Sequence, residues 1–361
     1  MTVINVGIIG CGEIAQVVHI PTLVFLASKF RISTLCDVSQ DSLAHCVAKV
    51  PGTNPPKTTT SPAELCASPD VNLVLVINSD EYHAEHGILA LQNDKHALIE
   101  KPVALNDRDA DALIEAEKKS KGKVMVGYMR RYAAVFADAV REIGGMEKIL
   151  YVRVRGMLAH PMTWKKLTIQ HRHHWRQRHV CGSARATEMV SQAFLEAGVT
   201  HEQVPATMWR VLGGLGTHDL SLMREAIGTP IKVLGASYQW PFWSALLQYD
   251  GFTVVYESGV DSIPRFDAHL EVYGGNKSVR VNYDTPYVKG LPVTMRLQEN
   301  INGEFHETSV RKTYEDPYTL EFKEIYDVMV NGKPVKTTVE DAKQDTAIFK
   351  MLVRAVAKST G

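Results

Sequence analysis

From Val3 to Val126 the chain alternates short apolar runs with helical patterns, and this alternation constrains the fold more than any other feature. The runs are Val3 to Ile9, Arg31 to Cys36, Val71 to Ile77, residues 95–99 and Val124 to Val126. They are brief and β-rich, as expected of strands buried in a parallel sheet. Ser61-Pro62-Ala63-Glu64 opens a short helix with a capping-box pattern. Further helical patterns end near Gln92 and run from about Asn106 to Lys119. Strand and helix in regular alternation predict an α/β domain built on a doubly wound parallel sheet.

The first run ends in Gly10-Cys11-Gly12-Glu13-Ile14-Ala15, a G-x-G-x-x-A pattern between a strand and a helix. The first glycine permits the tight turn. The second lets the backbone approach a pyrophosphate, and the small Ala15 lets helix and strand pack closely. Glycine turns are common, so the position of the motif carries more weight than the motif itself. The second strand ends at Asp37, 22 residues after Ala15. That is close to the spacing of an acid that accepts hydrogen bonds from an adenosine ribose. A carboxylate there also repels a 2′-phosphate, and Val38-Ser39-Gln40 offers no arginine to hold one. The competing reading is that Asp37 caps a helix starting near Ser39. The expected cofactor is NAD, held by a Rossmann domain over residues 1–128.

Two more strand ends draw attention, because ligands bind at the carboxyl ends of strands in open α/β sheets. Asn78-Ser79-Asp80-Glu81-Tyr82-His83 follows one strand, and Glu100-Lys101-Pro102 follows another. A lysine there is placed to touch a bound cofactor and its reaction partner together. A plain surface turn is the alternative.

After about residue 130 the pattern changes. A helix from about Tyr132 to Ile143 leads into the alternating strand Ile149–Arg155, and several strand-like runs separated by Gly, Asn and Asp turns span Ile231 to about Arg311. We expect residues 129–361 to form an α+β substrate-binding and oligomerisation domain with a mostly antiparallel sheet. Its C-terminal helix is free to pack back on the first domain. Residues 160–206 contain Trp164-Lys165-Lys166, the run His171-Arg172-His173-His174-Trp175-Arg176-Gln177-Arg178-His179, and a helical pattern from Ser183 to Ala197. This segment reads either as a pocket wall for an acidic or polyhydroxylated substrate, or as a solvated basic loop or subunit contact. The histidine spacing is ragged and interleaved with arginines, so no metal is expected.

Composition excludes several classes. Lys+Arg and Asp+Glu both number 40, so no global field recruits nucleic acid or an acidic membrane. No apolar run reaches membrane-spanning length, and the N-terminus lacks the pattern of a signal peptide. Five scattered cysteines fit free thiols in a reducing compartment, and the cytoplasm is the expected location.

The combined motifs resemble the Gfo/Idh/MocA oxidoreductases, named for glucose–fructose oxidoreductase, inositol dehydrogenase and a rhizopine-catabolism protein. The marks are Gly10-x-Gly12-x-x-Ala15, His83, Ala90-Leu91 before Lys95-His96, Glu100-Lys101-Pro102 and Gly127-Tyr128-Met129-Arg130-Arg131-Tyr132. Farther on come Trp209-Arg210, Gly213-Gly214, Gly216-Thr217-His218, and the tail from Phe322-Lys323-Glu324 to Glu340-Asp341-Ala342. The resemblance covers nearly the whole chain. It implies NAD contacts from Gly10, Gly12, Glu13, Ile14, Ala15, Asp37, Asn78, Ser79, His83, Glu100, Lys101, Pro102 and Arg131. It also implies a cis bond between Lys101 and Pro102. By the same resemblance Lys101 hydrogen-bonds the reacting hydroxyl and His218 accepts its proton, with Tyr128, Trp164 and Lys165 as further substrate contacts.

The substrate implied is a sugar, an inositol or a related carbohydrate, and the assembly a homodimer or homotetramer through the second sheet. One departure stands out. Where many relatives have aspartates four residues before and three after the histidine, this chain has Gly214 and Ser221. Two alternatives therefore stay open. One is a redox-neutral elimination, epimerisation or glycoside cleavage with NAD retained. The other is an NAD-binding regulator without turnover.

Overall fold

The computed structural model describes residues 2–159 and 183–360. They form two compact units, the first comprising 2–128, 183–193 and 321–343, and the second the remainder.

The first unit is built on a six-stranded sheet with every pair parallel. Its strands are β1 (Ile4–Ile9), β2 (Phe30–Cys36), β3 (Lys57–Thr59), β4 (Leu73–Val76), β5 (His96–Glu100) and β6 (Val124–Gly127). Their order is β3-β2-β1-β4-β5-β6. The order reverses between β1 and β4, the place where an open α/β sheet forms a crevice at its carboxyl edge. β4 shows why these strands read as unbroken apolar runs. Leu73 and Leu75 enter the hydrophobic cluster on one face, and Val74 and Val76 the cluster on the other. The sequence reading had no strand at 57–59, because β3 is three residues long and its side chains are mostly exposed.

Residues 321–343 complete this unit. Phe322, Ile325 and Tyr326 fill the first cluster, while Val339 and Ala342 join the second. Burying a phenylalanine such as Phe322 contributes roughly 1.5–3 kcal/mol. Thr337 caps the sheet edge: its carbonyl accepts the Val126 N–H at 2.9 Å, and its hydroxyl donates to the Val126 carbonyl at 2.8 Å. An otherwise open strand edge is thereby covered.

The second unit holds an eight-stranded sheet: β7 (Ile149–Ala159), β8 (Lys232–Gln239), β9 (Phe242–Gln248), β10 (Thr253–Asp261), β11 (Phe266–Gly274), β12 (Lys277–Tyr283), β13 (Thr294–Ile301) and β14 (Glu304–Val310). The order is β14-β13-β12-β11-β7-β10-β9-β8. Only β7 and β10 pair in parallel, so the sheet is mostly antiparallel, as expected. Helices Ala134–Gly144 and Thr217–Ile227 pack against it. No helix among the described residues is long and apolar enough to cross a membrane.

Candidate active site

In the first unit the site grows from the crevice between β1 and β4. The chain leaves β1 through Gly10, whose φ of +106° lies in the region that favours glycine. A Cβ there would fall 2.6 Å from the Asn78 backbone nitrogen, so glycine is required sterically as well. At Gly12 a Cβ would meet nothing within 4 Å, which leaves this turn open to a close-approaching ligand. Ala15 is wholly buried against the sheet.

The turn that follows, Ala15–His19, is a widened π-type turn leading into the helix Ile20–Phe25. Pro21 sits at the start of that helix. Proline has no N–H and its ring crowds the carbonyl one turn back, and a locally widened helix relieves that conflict.

Asp37, at the end of β2, reaches back to the glycine turn. Its Oδ2 accepts the Cys11 N–H at 2.7 Å and its Oδ1 accepts the Ser39 N–H at 2.9 Å. The helix cap itself is Ser39, which accepts the Ser42 N–H at 3.2 Å. Asp37 is therefore pinned to the glycine motif, and the capping alternative falls to its neighbour.

After β4, the Asn78 amide donates to His86 Nδ1 at 3.1 Å. Burial holds His86 below its ordinary pKa, in keeping with a neutral ring that accepts there. Asn78 Oδ1 is buried with no hydrogen-bond partner. Ser79 is half-buried, and its carbonyl accepts the Tyr82 N–H at 2.9 Å. His83 ties the two loops together, with Nδ1 2.8 Å from the Pro102 carbonyl and Nε2 3.2 Å from the Asn78 carbonyl. Glu13 and Ile14 are half-buried, and Ile14 packs on the first cluster.

The end of β5 carries Glu100, Lys101 and Pro102, and the Lys101–Pro102 bond is cis. Glu100 is buried and stands opposite Gly127 of β6, where a Cβ would come within 3.3 Å of its carboxyl carbon. Burial opposes its ionisation. The hydrogen bond from His19, with the charges of His19, Lys101 and His83, outweighs burial and holds the carboxyl below its ordinary value. His19 Nε2 lies 2.9 Å from Glu100 Oε1, and Glu100 Oε2 accepts the Lys101 N–H at 3.2 Å.

Neither His19 nor His86 was among the residues expected from sequence. The signal for His19 was a polar residue on an otherwise apolar helical stripe, since a wholly buried histidine needs a polar partner.

Tyr128, expected to touch substrate, has its side chain buried in the second hydrophobic cluster of this unit. Arg131, expected to touch NAD, lies in the second unit. There its guanidinium is buried and paired with Glu225.

His218 is half-buried near the start of the helix Thr217–Ile227, which follows the widened turn Leu212–Gly216. The adjacent Asp219 points into the unit and pairs with buried Arg130. Gly156 on β7 makes room for it, because a Cβ there would collide with the Asp219 carboxylate. Arg130 is flanked by the rings of Phe266 and Tyr283, and the Tyr283 hydroxyl donates to the Arg130 carbonyl at 3.1 Å. This buried pair anchors the helix that presents His218. At Gly214 a Cβ would meet nothing within 4 Å. Ser221 is buried, and its hydroxyl has no hydrogen-bond partner. Trp164, Lys165 and the histidines at 171, 173, 174 and 179 lie outside the described residues. Among the described residues no group of three or more His, Cys, Asp or Glu is arranged to hold a metal ion.

The open turn at Gly12, the orphaned Asn78 oxygen and the pinned Asp37 carboxylate fit a dinucleotide laid across the β1/β4 crevice. Comparison with known proteins agrees. Residues 4–128 match the Gfo/Idh/MocA model, an oxidoreductase family with an NAD-binding Rossmann fold. Residues 4–128 are thus similar to the NAD-binding domain of the Gfo/Idh/MocA oxidoreductases.

Among similar proteins, inositol 2-dehydrogenase 3 of Saccharopolyspora erythraea is 35% identical over 136 residues, which is 37% of this chain and 39% of that protein. The chain thus spans about two fifths of that relative's length. Myo-inositol 2-dehydrogenase of Thermotoga maritima is 24% identical over 94% of this chain and 92% of its own. A levoglucosan dehydrogenase solved with NADH and levoglucosan superposes with a TM-score of 0.74 at 17% identity, covering 99% of this chain and 98% of that one. At that identity the likeness concerns the fold.

Proposed function

We propose that this chain is an NAD-dependent oxidoreductase of the Gfo/Idh/MocA type that moves a hydride between nicotinamide and a hydroxyl-bearing carbon of a sugar, inositol or related carbohydrate. The observation that carries the reading is the carboxyl edge of the parallel sheet. The glycine turn after β1, Asn78 after β4 and Lys101 after β5 follow three adjacent strands at the reversal of strand order. When bound, NAD supplies the hydride acceptor. Asp37 would hold the adenosine ribose and disfavour a 2′-phosphate. Lys101 would supply a fixed positive charge where the reacting oxygen becomes negative, which stabilises the transition state more than the ground state. His218 would take the hydroxyl proton as a general base. The inositol dehydrogenases named above support the substrate class. The second unit's sheet, with Tyr151, Phe242 and Leu246 exposed, is the surface we assign to a homodimer or homotetramer contact.

The test is a screen of inositols, sugars, uronic acids and glycosides with NAD, following NADH absorbance and product mass together. NADH formation with a product two mass units lighter is expected. A rearranged or cleaved product without NADH would replace the reading with a redox-neutral one. NAD binding without any product would replace it with a sensor.

A further inference from the structure

We infer that His19 is a positioning residue for Lys101, acting through the Glu100 carboxylate. The inference deepens the function proposed above and rests on its assignment of Lys101. His19 closes the widened turn behind the glycine motif, and it is wholly buried. Its Nε2 meets Glu100 Oε1 at 2.9 Å, while Glu100 Oε2 receives the Lys101 backbone N–H at 3.2 Å. One carboxylate therefore joins the segment that would carry the cofactor to the residue proposed to touch the substrate.

The surroundings leave this carboxylate little freedom. Gly127 closes one side of it, and the His19 ring stands edge-on to Phe322 with centroids 5.8 Å apart. The ionisable groups facing Glu100 are His19, Lys101 and His83, and their combined effect keeps it ionised. An ionised carboxylate only accepts hydrogen bonds, so His19 Nε2 must carry the proton and donate. A buried carboxylate stripped of such a donor is strongly destabilised and takes up a proton instead. Loss of the His19 donor would therefore neutralise Glu100. Lys101 would lose the acceptor for its backbone N–H and a negative charge electrostatically coupled to its ammonium.

Three substitutions separate positioning from bulk structure. His19→Met removes the donor and keeps an apolar volume. His19→Gln keeps an N–H donor at about the same reach. Glu100→Gln removes the charge directly and keeps the shape. The readout is the pH dependence of Lys101 modification by acetic anhydride, followed by peptide mass spectrometry on the full chain. It needs no turnover.

An ammonium that loses a coupled negative charge titrates lower, so the Lys101 labelling midpoint is expected to fall in His19→Met and in Glu100→Gln. It is expected to stay near wild type in His19→Gln. If His19→Met does not fold, Glu100→Gln carries the test. Labelling curves that superimpose on wild type in the folded variants overturn the inference. The substrate screen reports separately on the activity. A shifted Lys101 curve in a protein without turnover keeps the positioning role and removes the dehydrogenase reading, and an active protein with unshifted curves does the reverse.

Discussion

Gly10→Ala and Gly12→Ala should separate stability from cofactor binding within a single motif. At Gly10 the native φ is +106°, and a new Cβ would sit 2.6 Å from Asn78 N, 2.7 Å from Asn78 Cα and 2.8 Å from Ile77 C. All three are backbone atoms at the end of β4, so no side chain can rotate away. A positive φ costs an alanine about 1–2 kcal/mol. Forcing extra volume into a packed site adds about 1–3 kcal/mol. Gly10→Ala is thus expected to lose roughly 2–5 kcal/mol of stability, seen as a lower urea midpoint with an unchanged slope. Gly12→Ala has no such conflict, since nothing lies within 4 Å of its new Cβ and its φ is not in the positive region. Its urea midpoint should match wild type.

Its affinity for NAD should not match. A methyl group in the path of a pyrophosphate costs about 1–3 kcal/mol, or roughly 5- to 150-fold in Kd. Titration by quenching of intrinsic fluorescence measures that loss. A Gly12→Ala protein with wild-type NAD affinity would refute the assignment of this turn to the cofactor. A Gly10→Ala protein of wild-type stability would refute the steric reasoning.

Three further outcomes follow from the site. NAD should bind more tightly than NADP by roughly 1–3 kcal/mol, the scale of a charge-assisted hydrogen bond lost; side-by-side titrations check this, and Asp37→Ala should narrow the gap. His218→Ala should lower kcat roughly 10²- to 10⁴-fold and remove the limb of the pH–rate profile that reports a group titrating near neutrality; an unchanged profile would place the base elsewhere. Because the native pKa of Glu100 is held below its ordinary value of 4.5, its contribution to stability is present above that pH. It is lost as the pH falls through the native value. The acid limb of urea stability below about pH 4.5 should therefore be shallower in Glu100→Gln than in wild type.

Much of the first unit was legible in the sequence because burial on both faces leaves a direct mark. A parallel strand such as β4 cannot admit polar residues, so Leu73–Val76 reads as a strand without further context. Asp37 was legible because the βαβ unit fixes its distance from the glycine turn. The pair of His19 and Glu100 was not, since the partners lie 81 residues apart and only the adjacency of β1, β4 and β5 brings them together. Burial of Tyr128 was not legible either. Its place beside a family motif drew a substrate role, yet its ring packs in the core, a distinction that depends on side-chain direction at the end of β6. Arg130 and Asp219 look like surface charges in one dimension. Only the room left by Gly156 and the aromatic cover of Phe266 and Tyr283 make them a buried pair.

The central claim is that Lys101 does chemistry on a carbohydrate hydroxyl beside a cofactor held by other residues. Steady-state turnover and NAD affinity of Lys101→Ala, measured on the best substrate from the screen, test it most directly. The expected result is a kcat lowered at least about 100-fold, the scale of losing one preorganised donor at developing negative charge, with the Kd for NAD within about twofold of wild type, under about 0.5 kcal/mol. Turnover close to wild type in Lys101→Ala would contradict the account.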